Sequence, residues 1–295
     1  MSLSDDIKSV LWRPAVALQR RVNGISRQMR GFRRGFAHWR SSADWSANPP
    51  AFEQLPPTSN ALQDFFDARK TGRGIWKYTH YFDIYERHFS RFRGREVNVL
   101  EIGVYSGGSL EMWRDYFGPR CRIYGVDIQP ACKAYESDSV KIFIGDQGDR
   151  KFWRDFKRQV PNLDIVIDDG SHLPEHQIVT FEELLPHLRR GGVYLCEDVT
   201  QTLNPFAAYV AGFGASLNSF DPVFDLDNLE RRTASSATPF QSAIAAVHLY
   251  PYVVVVERTS APVAEFVSPK HGTQWQPFLK ADSGILVNDD TGADL

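Results

Sequence analysis

Short apolar runs alternate with amphipathic stretches over most of this 295-residue chain. From residue 59 onward the alternation is regular. Ser59 or Asn60 is placed to cap a helix running through Lys70, and a second helix fits residues 80–92. Runs rich in Val and Ile then fall at residues 97–102, 122–126, 140–144, 163–167 and 193–196. Each is strand-sized, and helix-like segments or short connections separate them. Strands read as near-continuous apolar runs when both faces are covered, so the pattern predicts parallel βαβ units and a doubly wound α/β domain. A glycine loop follows the first run and leads into a helix ending near Phe117. Beyond Glu197 the periodicity loosens. Residues 218–240 read as a long surface excursion. Residues 243–248 and 252–257, split by Pro251, read as a closing antiparallel pair.

The first 40 residues behave differently. Leu11, Ala15, Leu18, Val22, Ile25, Met29 and Phe32 recur at spacings of three and four, which predicts an amphipathic helical arm interrupted at Gly24. Nine basic residues stand there against Asp5 and Asp6, a local net charge of +7 in a chain whose total is -2. The simpler use of such an arm is to pack on the core or on a second subunit. Contact with a membrane surface or an anionic partner is the other. Residues 41–58, with Pro49-Pro50 and Pro56-Pro57, read as a linker. The expected division is therefore residues 1–58, arm and linker, and residues 59–295, one domain.

Charged residues make up 24% and apolar residues 42% of the chain, so a packed core is feasible and bulk disorder is not expected. The overall charge gives no argument for a nucleic-acid partner. No apolar run approaches bilayer-spanning length, and the start lacks the pattern of a secretory signal. The three cysteines, Cys121, Cys132 and Cys196, are widely spaced, as for buried reduced thiols. A cytoplasmic protein is expected, with a homo-oligomer as its assembly.

Open parallel sheets bind ligands beyond the carboxyl ends of their strands, so the residues ending each run matter most. The first run ends in Glu101-Ile102-Gly103, followed by Ser106, Gly107, Gly108 and Ser109. Glycines there allow a tight turn and close backbone approach, and the next helix offers free N–H groups. The GxxxGG spacing differs from the GxGxxG of dinucleotide pyrophosphate loops. It suits a ligand with an amino-acid end and a nucleoside end. Asp127, about twenty residues on, is placed for ribose hydroxyls or as a helix cap. Asp146 and Gln147, after the third run, could meet an adenine edge, or Asp146 could cap the following helix.

The fourth run ends in Asp168-Asp169-Gly170-Ser171-His172 and the fifth in Glu197-Asp198. Neighbouring strands lie about 5 Å apart, so four carboxylates would share a small volume. They would repel unless a cation or protons neutralised them. Oxygen ligands favour Mg²⁺ or Ca²⁺, with Mn²⁺ possible. His172 stands at the mouth of the same cleft, and histidine is the side chain most often used as a general base. His176, four residues on, reads as helix-face structure.

Taken together, EIGVYSGGSL at residues 101–110, Val126-Asp127, IDDGSH at 167–172 and Glu197-Asp198 resemble the class I S-adenosylmethionine (SAM) dependent O-methyltransferases of the macrocin and mycinamicin type. This group also includes cephalosporin-hydroxylase-like proteins. Residues 77–85 and His271-Gly272-Thr273-Gln274-Trp275 share the likeness. The resemblance implies a Rossmann-like, mostly parallel seven-stranded sheet with one antiparallel strand. It implies SAM over the glycine loop, contacted by Glu101, Gly103, Ser106, Gly107, Gly108, Ser109, Asp127, Asp146, Gln147 and Asp168. It further implies Mg²⁺ on Asp169, Glu197 and Asp198, His172 as the base, and Thr79, His80 and Tyr81 in a segment over SAM. The activity implied is metal-assisted methylation of a sugar or small-molecule hydroxyl, as in natural-product or glycan modification. A hydroxylase-like member or a non-catalytic partner-binding protein is the alternative. The spacing around Lys77 departs from the family pattern, and the basic arm has no counterpart in it.

Overall fold

The computed structural model describes residues 26, 28–39, 59–201, 203–218 and 234–267. The expected linker at 41–58 and the motif at 271–275 lie outside the described residues. The chain divides into two units, Met1–Thr58 and Ser59–Leu295. In the first, residues 28–38 are helical through Gly31 and Gly35.

The second unit is built on a seven-stranded sheet. Its first five strands are β1 (Val97–Ile102), β2 (Cys121–Asp127), β3 (Val140–Ile144), β4 (Leu163–Asp168) and β5 (Leu188–Cys196). After the short β6 (Ala234–Ser236) come β7 (Ile244–Tyr250) and β8 (Val253–Arg258). The order is β3-β2-β1-β4-β5-β8-β7, and β8 alone runs antiparallel to its neighbours. β6 pairs separately with β9 (Glu265–Val267). The strands follow the apolar runs, with one large extension. β5 begins five residues before the apolar run starting at Val193, because Arg189, Arg190 and two glycines conceal its first half. Residues 219–233 of the expected excursion lie outside the described residues. Its end is a correction, since residues 234–236 are paired strand and Pro239–Ala243 a short helix.

Alternation along the strands builds two cores. Val97, Val99, Ile165, Ile167, Val193 and Leu195 face α1 (Ala61–Ala68), α2 (Tyr81–Phe89) and α3 (Gly108–Phe117). Leu100, Ile102, Val126, Val166 and Tyr194 face α4 (Arg150–Gln159), α5 (Pro174–Leu184) and α6 (Pro205–Ala215). Helix starts follow local chemistry. The Asn60 side chain accepts from Leu62 N at 3.1 Å, and the Asp149 side chain from Lys151 N at 2.7 Å. Trp113, wholly buried against Tyr85, Phe89 and Phe117, anchors α3 to the first core. On this scale a Trp→Ala truncation costs about 3–5 kcal/mol.

Candidate active site

Register decides what the strands deliver. Ile102 lies beside Val126 and Asp168, and Asp168 beside Cys196. The chain runs from β1 outward to β2 and β3, then crosses back to β4, so β1 and β4 flank the topological switch point. Gly103, Asp127, Asp169 and Glu197 therefore emerge along one edge of the sheet, where they line a cleft of about 560 Å³. The opposite wall is the segment from Gly74 to Tyr78 together with Tyr81.

Close backbone approach explains the glycine at 103. Its φ is 88°, and a Cβ there would sit 1.9 Å from the Asp169 carbonyl oxygen. Asp127 shapes the same loop. Its Oδ2 accepts from Val104 N at 2.9 Å and Tyr105 N at 3.0 Å, and its Oδ1 from Gln129 N at 2.8 Å. A carboxylate has about four acceptor positions, so capacity for a ligand hydroxyl is left on the cleft side.

The paired acids separate by strand parity. Asp168, the last residue of β4, turns into the second core, where it accepts from Tyr194 OH at 2.8 Å and Gln147 Nε2 at 3.0 Å. Burial lifts its pKa to about 6 against those two hydrogen bonds. Asp169 turns into the cleft. There it meets the Lys77 ammonium, which also bonds Glu197 Oε2 at 2.8 Å. Tyr85 OH donates to the other Glu197 oxygen at 2.6 Å. Burial alone would lower the Lys77 pKa, but Asp169, Glu197 and Glu101 hold it above its ordinary value. Burial raises that of Glu197, while Lys77 pulls it back.

Closer to solvent, Tyr81 OH donates to Asp198 Oδ1 at 2.7 Å, and His172 Nε2 lies 3.7 Å from Asp198 Oδ2. Burial, then Asp198, raises the Tyr81 pKa, so Tyr81 stays a donor. Tyr105, His172 and Asp198 all hold left-handed backbone, at φ 48°, 57° and 52°. Such strain persists where the surroundings over-determine it, and it gathers at functional sites. Donor atoms of Asp169, His172 and Asp198 fall within 4.8 Å of one another. Two carboxylates on an open cleft fit a divalent cation, with the imidazole beside them. Glu197 sits beside this trio with both oxygens already engaged.

Of the residues expected from sequence, Gly103, Ser106, Ser109, Asp127, Tyr81, Asp169, His172, Glu197 and Asp198 line the cleft. Eight others do not, each for a local reason. Glu101 points into the first core, accepting from Ser109 Oγ at 2.8 Å and Trp113 Nε1 at 3.0 Å, and burial lifts its pKa to about 7. Gly107 caps α3 with φ 71°, and Gly108 packs on the backbone of Arg73 and Gly74. Asp146 accepts from Gly148 N at 2.8 Å in its own turn. Gln147 braces Asp168, Thr180 and Ser171 N behind the cleft. Asp168 faces the second core, and the Thr79 carbonyl accepts from Phe82 N in the first turn of α2. His80 Nε2 bonds the Pro251 carbonyl at 3.0 Å, and His176 pairs with Ser171 Oγ at 3.1 Å, as helix-face structure. Sequence reasoning missed Lys77 as a buried cation, Tyr85 as its companion, and Trp76 and Tyr78 as cleft walls. A lysine within Trp76-Lys77-Tyr78 was the available signal.

The sheet order, the glycine turn and the acid-lined cleft define a class I, Rossmann-like methyltransferase-type fold. Residues 100–199 match the methyltransferase domain family. The chain is 36% identical over 67% of its length to an 8-demethyl-8-(2-methoxy-alpha-L-rhamnosyl)-tetracenomycin-C 3'-O-methyltransferase of Streptomyces olivaceus, of which it covers 54%. It is 41% identical over 54% of its length to the demethylmacrocin O-methyltransferase of Streptomyces fradiae, covering 39% of that protein. A solved structure of the MycE methyltransferase from the mycinamycin biosynthetic pathway, in complex with Mg, SAH and mycinamycin VI, matches 68% of the chain and 53% of its own. The identity there is 29% and the TM-score 0.51. The chain is thus similar, over part of its length, to methyltransferases of the macrocin and mycinamicin type. The chain spans about half the length, or less, of these relatives.

Proposed function

We propose that this protein is a SAM-dependent O-methyltransferase that acts on a hydroxyl of a sugar or sugar-bearing small molecule, assisted by a hard divalent cation such as Mg²⁺. The observation that carries the reading is the single cleft in which the glycine turn and Asp127 stand beside Asp169, His172 and Asp198. The relatives are named as O-methyltransferases, one of them for a rhamnosyl-bearing tetracenomycin, and the similar solved structure holds Mg and SAH.

When bound, SAM supplies an electrophilic methyl and the cation lowers the pKa of the acceptor hydroxyl. Asp169 and Asp198 would hold the cation, with Glu197 in reach behind them. The chain's own residues do the rest. The turn at Gly103 and Asp127 positions the nucleoside end. His172 Nε2 takes the hydroxyl proton, and Asp198 steadies the resulting imidazolium. Tyr81 fixes Asp198 by its hydrogen bond. Trp76, Tyr78 and Tyr105, exposed on the cleft wall, offer apolar faces for a sugar ring. Three unpaired buried thiols support a cytoplasmic setting. Among the described residues, no helix is long and apolar enough to cross a membrane.

Calorimetric titration with S-adenosylhomocysteine tests the donor site. Methyl transfer to a panel of glycosides, with and without chelator, tests the rest. Activity lost in chelator and restored by Mg²⁺ is expected. Full activity in chelator would remove the cation from the reading, and no binding of the nucleoside would remove the whole of it.

A further inference from the structure

The helix over residues 28–38 takes no part in the cleft chemistry, yet its surface is organised. At 100° per residue, Met29, Phe32, Phe36 and Trp39 fall within an arc of about 80°. They are 56%, 50%, 36% and 53% exposed. Phe36 and Trp39 meet edge to face at 6.2 Å, which keeps the stripe continuous. Arg30, Arg33 and Arg34 occupy an adjoining arc of about 100° and are likewise exposed. The wider segment carries the +7 charge noted above.

We infer that this helix is an interfacial anchor for an anionic lipid bilayer. Charge complementarity selects the partner, since Arg33 borders the apolar stripe and Arg30 and Arg34 make the opposite face basic. A membrane interface takes both at once, with aromatic rings at the acyl boundary and guanidinium groups among the headgroup phosphates. Gly31 and Gly35 lower the intrinsic helix propensity, so the segment gains helix on a surface that buries its stripe.

The test is co-sedimentation of the full-length protein with vesicles of phosphatidylcholine alone or mixed with phosphatidylglycerol. Binding to the mixed vesicles, weakened by salt and accompanied by increased helical circular dichroism, is expected. Replacing Arg30, Arg33 and Arg34 by Gln should weaken it roughly fivefold per arginine, on the order of a hundredfold together. Phe32→Ala/Phe36→Ala/Trp39→Ala should abolish it. Both variants alter exposed side chains only, and an unchanged melting transition confirms that they fold. Equal binding to neutral vesicles, no binding to either kind, or full binding by either variant overturns the proposal. So does pelleting without vesicles, or a sedimentation mass that falls in the aromatic variant, since the stripe would then be covered by a second copy of the chain.

Discussion

Replacing Lys77 by Met isolates what holds the acid cluster together. The methionine keeps most of the side-chain volume and removes the charge. Glu197 is then left buried with Tyr85 as its one remaining donor, while Asp169, about one-fifth exposed, can turn toward water. Removing one partner of a buried ion pair costs about 3–5 kcal/mol. The freedom of Asp169 puts this case near the low end, roughly 3 kcal/mol at pH 8. The sign of the pH dependence follows from Glu197. Its folded pKa lies above the unfolded value, so its stability is full below the unfolded pKa and is lost as pH rises through the folded one. Without Lys77 that folded pKa rises further, and the variant loses more across the same window. Urea unfolding at pH 5 and pH 8 should show the deficit growing with pH. Lys77→Met/Glu197→Gln should recover most of it, because no buried charge is then unpaired. A Lys77→Met protein within about 1 kcal/mol of wild type at pH 8, or a double variant no better than the single one, would refute the reasoning.

Three further outcomes are expected. His172→Ala should lower the rate constant of methyl transfer by roughly 10²-fold or more while leaving S-adenosylhomocysteine affinity unchanged, measured by steady-state kinetics and calorimetry; an unaltered rate removes His172 as the base. Glu101→Gln should become more stable than wild type as pH rises from about 4.5 to 7, because wild-type Glu101 loses roughly 3 kcal/mol over that window and the amide does not; a pH-independent difference in urea midpoints contradicts the burial argument. Gly103→Ala should lose at least about 2 kcal/mol, since the new Cβ meets the Asp169 carbonyl at a left-handed backbone position. An unchanged melting temperature would show that the turn relaxes freely.

Much of the sheet was legible because parallel strands covered on both faces must be apolar along their whole length. Leu100, Val166 and Val193 announce their strands without knowledge of their partners. The first half of β5 was not legible, because its residues reach beyond the covered part of the sheet and carry arginine and glycine. At the site, the edge was legible and the direction of each side chain was not. Asp168 and Asp169 are equivalent as letters, yet one residue of strand parity sends the first to Tyr194 and the second to the cleft. Glu101, on β1, accepts from buried Ser109 and Trp113, and Gln147, in the turn after β3, donates to Asp168 and Thr180 behind the cleft. Lys77 was hidden differently, since its partners lie 92 and 120 residues away and no local spacing encodes them.

That lysine changes the charge argument that first pointed to a cation. Four carboxylates converging at the strand ends would need substantial neutralisation. In the folded chain Asp168 leaves the group, and Lys77 supplies one positive charge among the three that remain. With all three acids ionised the cluster has a formal charge of -2, and it becomes less negative as Glu197, whose pKa burial raises, takes up a proton. The lysine holds the deeper side of the cluster, at Glu197, and the open side lies at Asp169, His172 and Asp198. Buried acids are thus kept folded by a cation built into the chain, while the acids facing the cleft keep the charge that would attract one from solution. A cation at the open side would share Asp169 with Lys77, so its affinity and the strength of the lysine's grip are coupled. The Lys77→Met protein should therefore gain more stability from added Mg²⁺ than wild type does, measured as the shift in urea midpoint, and an equal gain would separate the two cations.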